Sequence, residues 1–419
     1  MITLFRNPSF NKLFMASIAS QLGTVIGNMA FAYYLVDRFA SRPSLASTAE
    51  LMYSIPTLAV FWIVGVAADR FDRKLITAYS DWIRTILTIF LLVCVHSDWL
   101  FLCFLVLFLR SAVARFFGPA EMGLVQGCLA QEQYVQAAGL NQTVSALFML
   151  FGLSLGAAAY HWLGIEGAIL IDAISFIISG LLIAWGQYPE AARIPNGKNR
   201  VRDISASLIW KDFAQGIQYI YRNKLLLNLI HGFFFFGIVN GVFAVLPIFV
   251  MKYKLSPENY LLYSSLIMIF LGIGFLIGSM IAPVLINKFS KTNVMISGFF
   301  LAGLLAFTIG SITSIYVYLG LILLTGVILA PANIVIGGWM PELVAPQFMG
   351  KVNALTDPVM MLGHSLALGF VALAFPTWIS ITWLHYILAI CMLGVSIYYF
   401  VVLPPLVRNQ AKTTQTQTV

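Results

Sequence analysis

Arg110 and Asp172 each place an ionisable side chain deep inside a long apolar run. An ionised group at the centre of a membrane helix costs about 2.5–3.5 kcal/mol on insertion scales, so its presence calls for a partner or a task. A buried arginine keeps its proton, and the chemistry open to it is to hold a carboxylate and release it. Asp172, about two turns from the end of its run, is a desolvated carboxyl and a candidate for proton exchange. Asp37, beside Arg38 at the end of the first run, is another such candidate in a wetter place. Asp81 and Arg84 are three apart on one helical face, which makes them a self-neutralising pair. Asp357 precedes Pro358 and is placed to pair with Lys351 or with basic residues near position 70, as part of a gate. A fixed structural ion pair would account for several of the same residues.

These charges are rare in a chain of 419 residues that is 60% hydrophobic and only 10% charged. A soluble core has no use for that much apolar surface, whereas a lipid-facing exterior does. Apolar runs recur near 10–37, 46–68, 75–96, 99–120, 138–160, 165–188, 225–251, 260–284, 293–313, 315–339, 352–376 and 380–403. At roughly 20 residues per crossing they predict twelve transmembrane helices and an all-α integral membrane fold. The first run is too long for a signal-peptide core, so it reads as a retained helix. With the N-terminus inside, the cytoplasmic segments carry 17 of the 24 lysines and arginines. That bias puts both termini in the cytoplasm of a bacterial inner membrane. The net charge of +8 therefore reflects topology, and nucleic acid is not an expected partner.

The basic stretch 189–224 splits the chain into a six-helix half at 1–188 and a second at 225–404, with a tail at 405–419. Within it, 209–221 reads as a short amphipathic helix at the membrane surface. The halves echo each other. Asp69-Arg70-Phe71-Asp72-Arg73 follows the second run, and Asn287-Lys288-Phe289-Ser290-Lys291 follows the eighth. Repeats of this kind build many secondary transporters, with the solute site near the midplane.

The segment Gly65-Val-Ala-Ala-Asp69-Arg70-Phe-Asp72-Arg73-Lys74 resembles the loop 2–3 signature of the major facilitator superfamily. Further stretches are similar to the subgroup that holds macrolide-efflux and enterobactin-exporter proteins: Asp81-Trp-Ile-Arg84, Phe108-Leu-Arg110-Ser111, Phe117-Gly-Pro119-Ala120, Ile171-Asp172-Ala-Ile-Ser175-Phe176 and Gln215-Gly216-Ile-Gln-Tyr219. The resemblance implies two pseudo-symmetric six-helix halves that rock to give alternating access. It makes Asp69, Arg70, Arg73 and Lys74 gating residues, with the aspartate capping a neighbouring helix. It gives Arg110 a part in proton coupling. It lines the cavity with the first, fourth, seventh and tenth helices, offering Gln21, Asn28, Asn240 and Asn333 beside Phe31, Phe235 and Trp339. Such an apolar, aromatic cavity suits a bulky amphiphile: a drug, a macrolide or a siderophore.

Two departures bear on coupling. Gly27 is followed by Asn28 where the group often has an aspartate, and 152–156 reads Gly-Leu-Ser-Leu-Gly without the usual proline. The expected partners are a small solute, protons and membrane lipids, and the chain is expected to act as a monomer. A lysophospholipid flippase of the same fold is the alternative, and a non-transporting sensor or scaffold a more distant one. No phosphate-binding loop or nucleophile elbow is present, five histidines are scattered, and Cys94, Cys103, Cys128 and Cys391 form no paired motif. Neither an enzyme nor a metal or cofactor site is expected.

Overall fold

The computed structural model describes residues 4–130, 133–194, 206–344 and 346–417, and these are almost wholly helical. In chain order the helices are α1 (Pro8–Arg38), α2 (Ser44–Arg70), α3 (Arg73–His96), α4 (Leu100–Cys128), α5 (Tyr134–Trp185), α6 (Glu190–Arg193), α7 (Ala206–Arg222), α8 (Lys224–Val250), α9 (Tyr260–Phe289), α10 (Lys291–Ser311), α11 (Ile315–Leu343), α12 (Pro346–Ala374) and α13 (Ile381–Gln417). Among the described residues, 11 helices are long and apolar enough to cross a membrane. The 52-residue α5 is broken at Gly164, where φ is +67°. That left-handed turn favours glycine. It divides α5 into limbs at 134–163 and 165–185, each able to span about 30 Å at 1.5 Å per residue. Counted as two crossings, α5 brings the total to the twelve that the apolar runs predict.

Chemistry at the helix ends sets the boundaries. Asn7 caps α1 by accepting from the backbone N–H of Ser9 (3.0 Å) and Phe10 (3.1 Å), with Pro8 at the first helical position. Asp72 caps α3, accepting from the N–H of Lys74 (2.9 Å) and Leu75 (3.4 Å). Each cap satisfies amides that the helix itself leaves free.

Two compact units divide between Ile209 and Trp210, inside α7. In the first, α1 packs on α5, α2 on α4, and α3 on both α4 and α5. In the second, α8 packs on α12, α9 on α11, and α10 on both α11 and α13. Each half thus repeats one neighbour scheme. Among the described residues each half is an all-α bundle, as the sequence predicts.

One helix shows why this chain needs lipid. α3 buries Thr77, Ser80, Asp81, Arg84, Thr85 and Thr88 while exposing Tyr79, Ile83, Ile86, Ile89, Phe90 and Val93. Its polar stripe recurs every three to four residues and faces inward. In water that order would reverse; against hydrocarbon it is the stable one.

Candidate functional site

The inward stripe of α3 meets α1, α4 and the second limb of α5 in a buried charge network. Arg110 on α4 donates from Nη1 to the Asp172 carboxylate at 2.5 Å and to Thr88 Oγ1 at 3.0 Å. Its Nη2 donates to Asn28 Oδ1 at 2.8 Å. Both members of the ion pair are buried, Asp172 completely. One turn away, Arg84 Nη1 holds Asp81 at 3.1 Å and Ser20 Oγ at 2.9 Å, while its Nη2 donates to Thr24 Oγ1 at 2.5 Å. Ser20 also donates to Asp81, at 3.1 Å. Phe176 joins the two pairs: the Arg84 guanidinium lies 3.8 Å from its ring centre and that of Arg110 5.8 Å. An aromatic face supplies electrostatic support to a desolvated cation worth about 1–2 kcal/mol.

Local sequence explains how so much polarity fits. Asp172, Ser175 and Phe176 fall on one face of α5 by their i, i+3, i+4 spacing. That face meets α1 where Gly27 leaves the room: a Cβ there would stand 2.7 Å from Asp172 Oδ2. Two cations and two carboxylates make the network neutral, yet Asp172 Oδ1 has no hydrogen-bond partner. That oxygen is where a proton would add. If Asp172 is protonated and lets go, Arg110 still has Thr88 and Asn28 as acceptors, so the guanidinium is not stranded without partners.

The structure brings together Arg110, Asp172 and Asn28, three residues singled out from sequence, and closes the Asp81–Arg84 pair. Asp37 is exposed, nine residues beyond Asn28 on α1, and interacts with Tyr160 away from the network. Gln21 donates to Ser17 at 3.0 Å on α1. Phe235, Asn240, Asn333 and Asp357 are exposed in the second unit. Two further candidates are buried within their own halves. Phe31 is buried among Leu35, Leu91 and Leu107, and Trp339 among Leu225, Val294 and Tyr399. Large aromatics contribute most of their burial energy when fully packed, and these two helix faces turn that way.

Two bases of the loop motif donate to backbone carbonyls of the first half. Arg73 donates to Ala68 O at 2.8 Å and Ala192 O at 3.3 Å, and Lys74 to Gly186 O at 2.9 Å. Arg70, half-buried, ends α2, and the side chain of Asp69 lies outside those described. The capping carboxylate is Asp72, which also pairs with Arg193; this hydrogen-bonded pairing holds the Arg193 guanidinium above its usual range. Sequence reading passed over Asp72, Arg193, Thr88, Ser20 and Thr24. It also missed two half-buried acids, Glu50 on α2 and Glu121 on α4. A cap signal was available at Asp72, directly before an apolar helical run.

Comparison with known proteins bears on this geometry. Residues 13–368 match the Major Facilitator Superfamily profile. An uncharacterized MFS-type transporter of Bacillus subtilis, YkuC, is 50% identical over 402 residues, covering 96% of this chain and 94% of its own. Macrolide efflux protein A of Streptococcus pyogenes is 23% identical over 367 residues, covering 86% of this chain and 87% of its own. The crystal structure of a bacterial homologue of the iron transporter ferroportin, in its inward-facing state, superposes with a TM-score of 0.71 at 16% identity. That match covers 95% of this chain and 98% of the other. Two halves with one packing scheme, an inward polar stripe and a profile match over most of the length lead to one assignment: this chain is a multi-pass membrane transporter of the Major Facilitator Superfamily, a transporter of small molecules and not an enzyme.

Proposed function

We propose that the protein exports an amphiphilic small molecule by alternating access in exchange for protons, and that the Arg110–Asp172 pair is the coupling switch. The observation that carries this reading is the set of acceptors around Arg110. Asp172 is the only one of the three that can take a proton, and Thr88 and Asn28 can hold the guanidinium while it does so. Asn28, where relatives often have an acid, then serves as a fixed acceptor, and Asp172 on α5 carries the titration. The 23% likeness to a protein named for macrolide efflux supports export and a bulky solute. The lysine and arginine bias supports a bacterial cytoplasmic membrane with both termini inside. In this reading Asp69, Arg70, Arg73, Lys74 and Asp357 belong to the cytoplasmic gate, and the protein acts as a monomer.

The test has two stages. Purified protein is screened for ligand-induced thermal stabilisation against macrolides, other amphiphilic drugs, siderophores and lysophospholipids. A macrolide or drug hit is expected; stabilisation by lysophospholipid alone would replace export with lipid flipping. The hit is then followed into liposomes under a pH gradient. Arg110→Lys should bind it comparably but accumulate it at least about tenfold less, because an ammonium cannot hold three acceptors in one plane. Unchanged accumulation would remove Arg110 from the coupling machinery.

A further inference from the structure

One face of α1 carries Ser17, Ser20, Thr24 and Asn28 at three- and four-residue steps, and it lines the first half's polar interior. Asn28 accepts from Arg110, Thr24 from Arg84, and Ser20 bridges Arg84 and Asp81. Ser17, the last of the series, stands beside the carboxyl of Glu121 on α4. The register is consistent, because α1 and α4 run in opposite directions. Eleven residues separate Asn28 from Ser17 on one helix, and eleven separate Arg110 from Glu121 on the other. At 1.5 Å per residue this polar column is about 16 Å long, half the thickness of a bilayer core. It leads from the Arg110–Asp172 pair toward the end of α4 that lies beside the basic loop.

Glu121 has no place in the coupling pair itself, and among the described residues no ion pair neutralises it. Facing it are Ser17 from α1 and the Asp81 carboxylate from α3, with Tyr188 beyond the end of α5. The Arg73 guanidinium lies against Gly123, two residues further along α4. A half-buried carboxyl with no counter-ion among the described residues is costly to keep charged and tolerable as a neutral acid.

We propose that Glu121 is a second proton-exchanging carboxyl of the first half, coupled to the Arg110–Asp172 pair through the polar face of α1. A proton leaving Asp172 restores the bond to Arg110 and passes by way of the Asp81 carboxylate to Glu121, which delivers it to water at the basic face. Asp81 and Glu121 end as they began, so the sequence is balanced. The inference rests on the coupling role proposed for Asp172, and its test separates the two.

The experiment is an infrared pH titration of the full-length protein reconstituted in lipid, following the carbonyl stretch of protonated carboxyls across about pH 5–9. Wild type should show titrating components of which one is lost in Glu121→Gln and a different one in Asp172→Asn. In Asp172→Asn the Glu121 component should move its midpoint by about half a pH unit or more, the size expected for a charge change about 16 Å away. Glu121→Asp should keep a titrating component at its own midpoint. An Asp172→Asn spectrum in which the Glu121 midpoint is unmoved, or a Glu121→Gln spectrum that lacks no titrating component, overturns this proposal. If Asp172→Asn removes no component, the coupling role of Asp172 fails instead, whatever Glu121 does. Should Glu121→Gln fold poorly, the wild-type and Glu121→Asp titrations decide alone.

Discussion

α3 and α10 hold the same place in their halves, and what they bury differs completely. Matching the ends Asp69–Arg73 and Asn287–Lys291 sets Asp81 against Phe299, Arg84 against Ala302 and Thr88 against Ala306. α3 packs a charged pair and threonines into its half; α10 packs Val294, Met295, Phe299, Ala302 and Ala306 into its own. Phe299 packs at a tilt against Phe236, ring centres 4.8 Å apart, where its counterpart Asp81 meets Arg84. Among the described residues no ionised side chain is buried in the second half; its buried polar contact of note is Tyr318 with His385 at 3.0 Å. One packing scheme therefore tolerates both interiors. The charges of the first half are not needed to build the fold, and so they ask for another explanation.

The largest test of that contrast removes one partner of the buried pair. Asp172→Ala leaves the buried Arg110 charge with only the neutral acceptors Thr88 and Asn28 and no counter-ion, and should cost about 3–5 kcal/mol in unfolding stability; replacing both residues with apolar ones should recover most of it. A calorimetric or denaturant series on the single and double variants measures this. His385→Ala, which breaks only a neutral contact, should cost about 1–3 kcal/mol. If Asp172→Ala proves the milder change, the two interiors do not differ as described.

Close helix approach should prove common to both halves. A Cβ on Gly27 would stand 2.7 Å from the Asp172 carboxylate, and one on Gly237 would stand 1.9 Å from the Met360 carbonyl. Alanine at either position should cost about 1–3 kcal/mol in melting experiments. Gly237→Ala should cost more, because it meets backbone. Equal tolerance in the two halves would mean that the glycines do not set the spacing.

Smaller effects are expected at the paired loops. Asp72 caps α3 and holds Arg193, so Asp72→Ala should cost about 1–2 kcal/mol. Arg193 is partly exposed, and its share of that is at most about 1 kcal/mol after screening. Ser290, the counterpart, makes no side-chain cap and sits at φ +70°. Ser290→Gly should raise stability by about 1 kcal/mol by relieving that backbone. A destabilised Ser290→Gly variant would show that the serine has a role not seen here.

The chemistry of the first half was legible in sequence where physics leaves few options. A charge in an apolar run must find a partner in lipid, so Arg110, Asp172 and Asn28 could be named, and Asp81 with Arg84 follows from helical spacing. Glu121 escaped because the apolar run of α4 fades near residue 120, whereas the helix continues to Cys128. That Phe31 and Trp339 pack into the core of their own halves is not written in their helices' composition. Which face each helix turns inward is set by packing across the half, and hydropathy does not record it. The bond between Asp72 and Arg193 spans more than a hundred residues, beyond the reach of any local pattern. The break at Gly164 depends on a backbone angle, which one glycine among many does not announce.

The central claim is that the first half carries a proton switch at Asp172. The most direct measurement records proton movement across liposomes, with a pH-sensitive dye, driven by a gradient of the solute that stabilises the purified protein. Wild type should move protons against the solute, and Asp172→Asn should move none while still binding that solute. Equal proton movement in the two proteins, or none in wild type, would contradict the account.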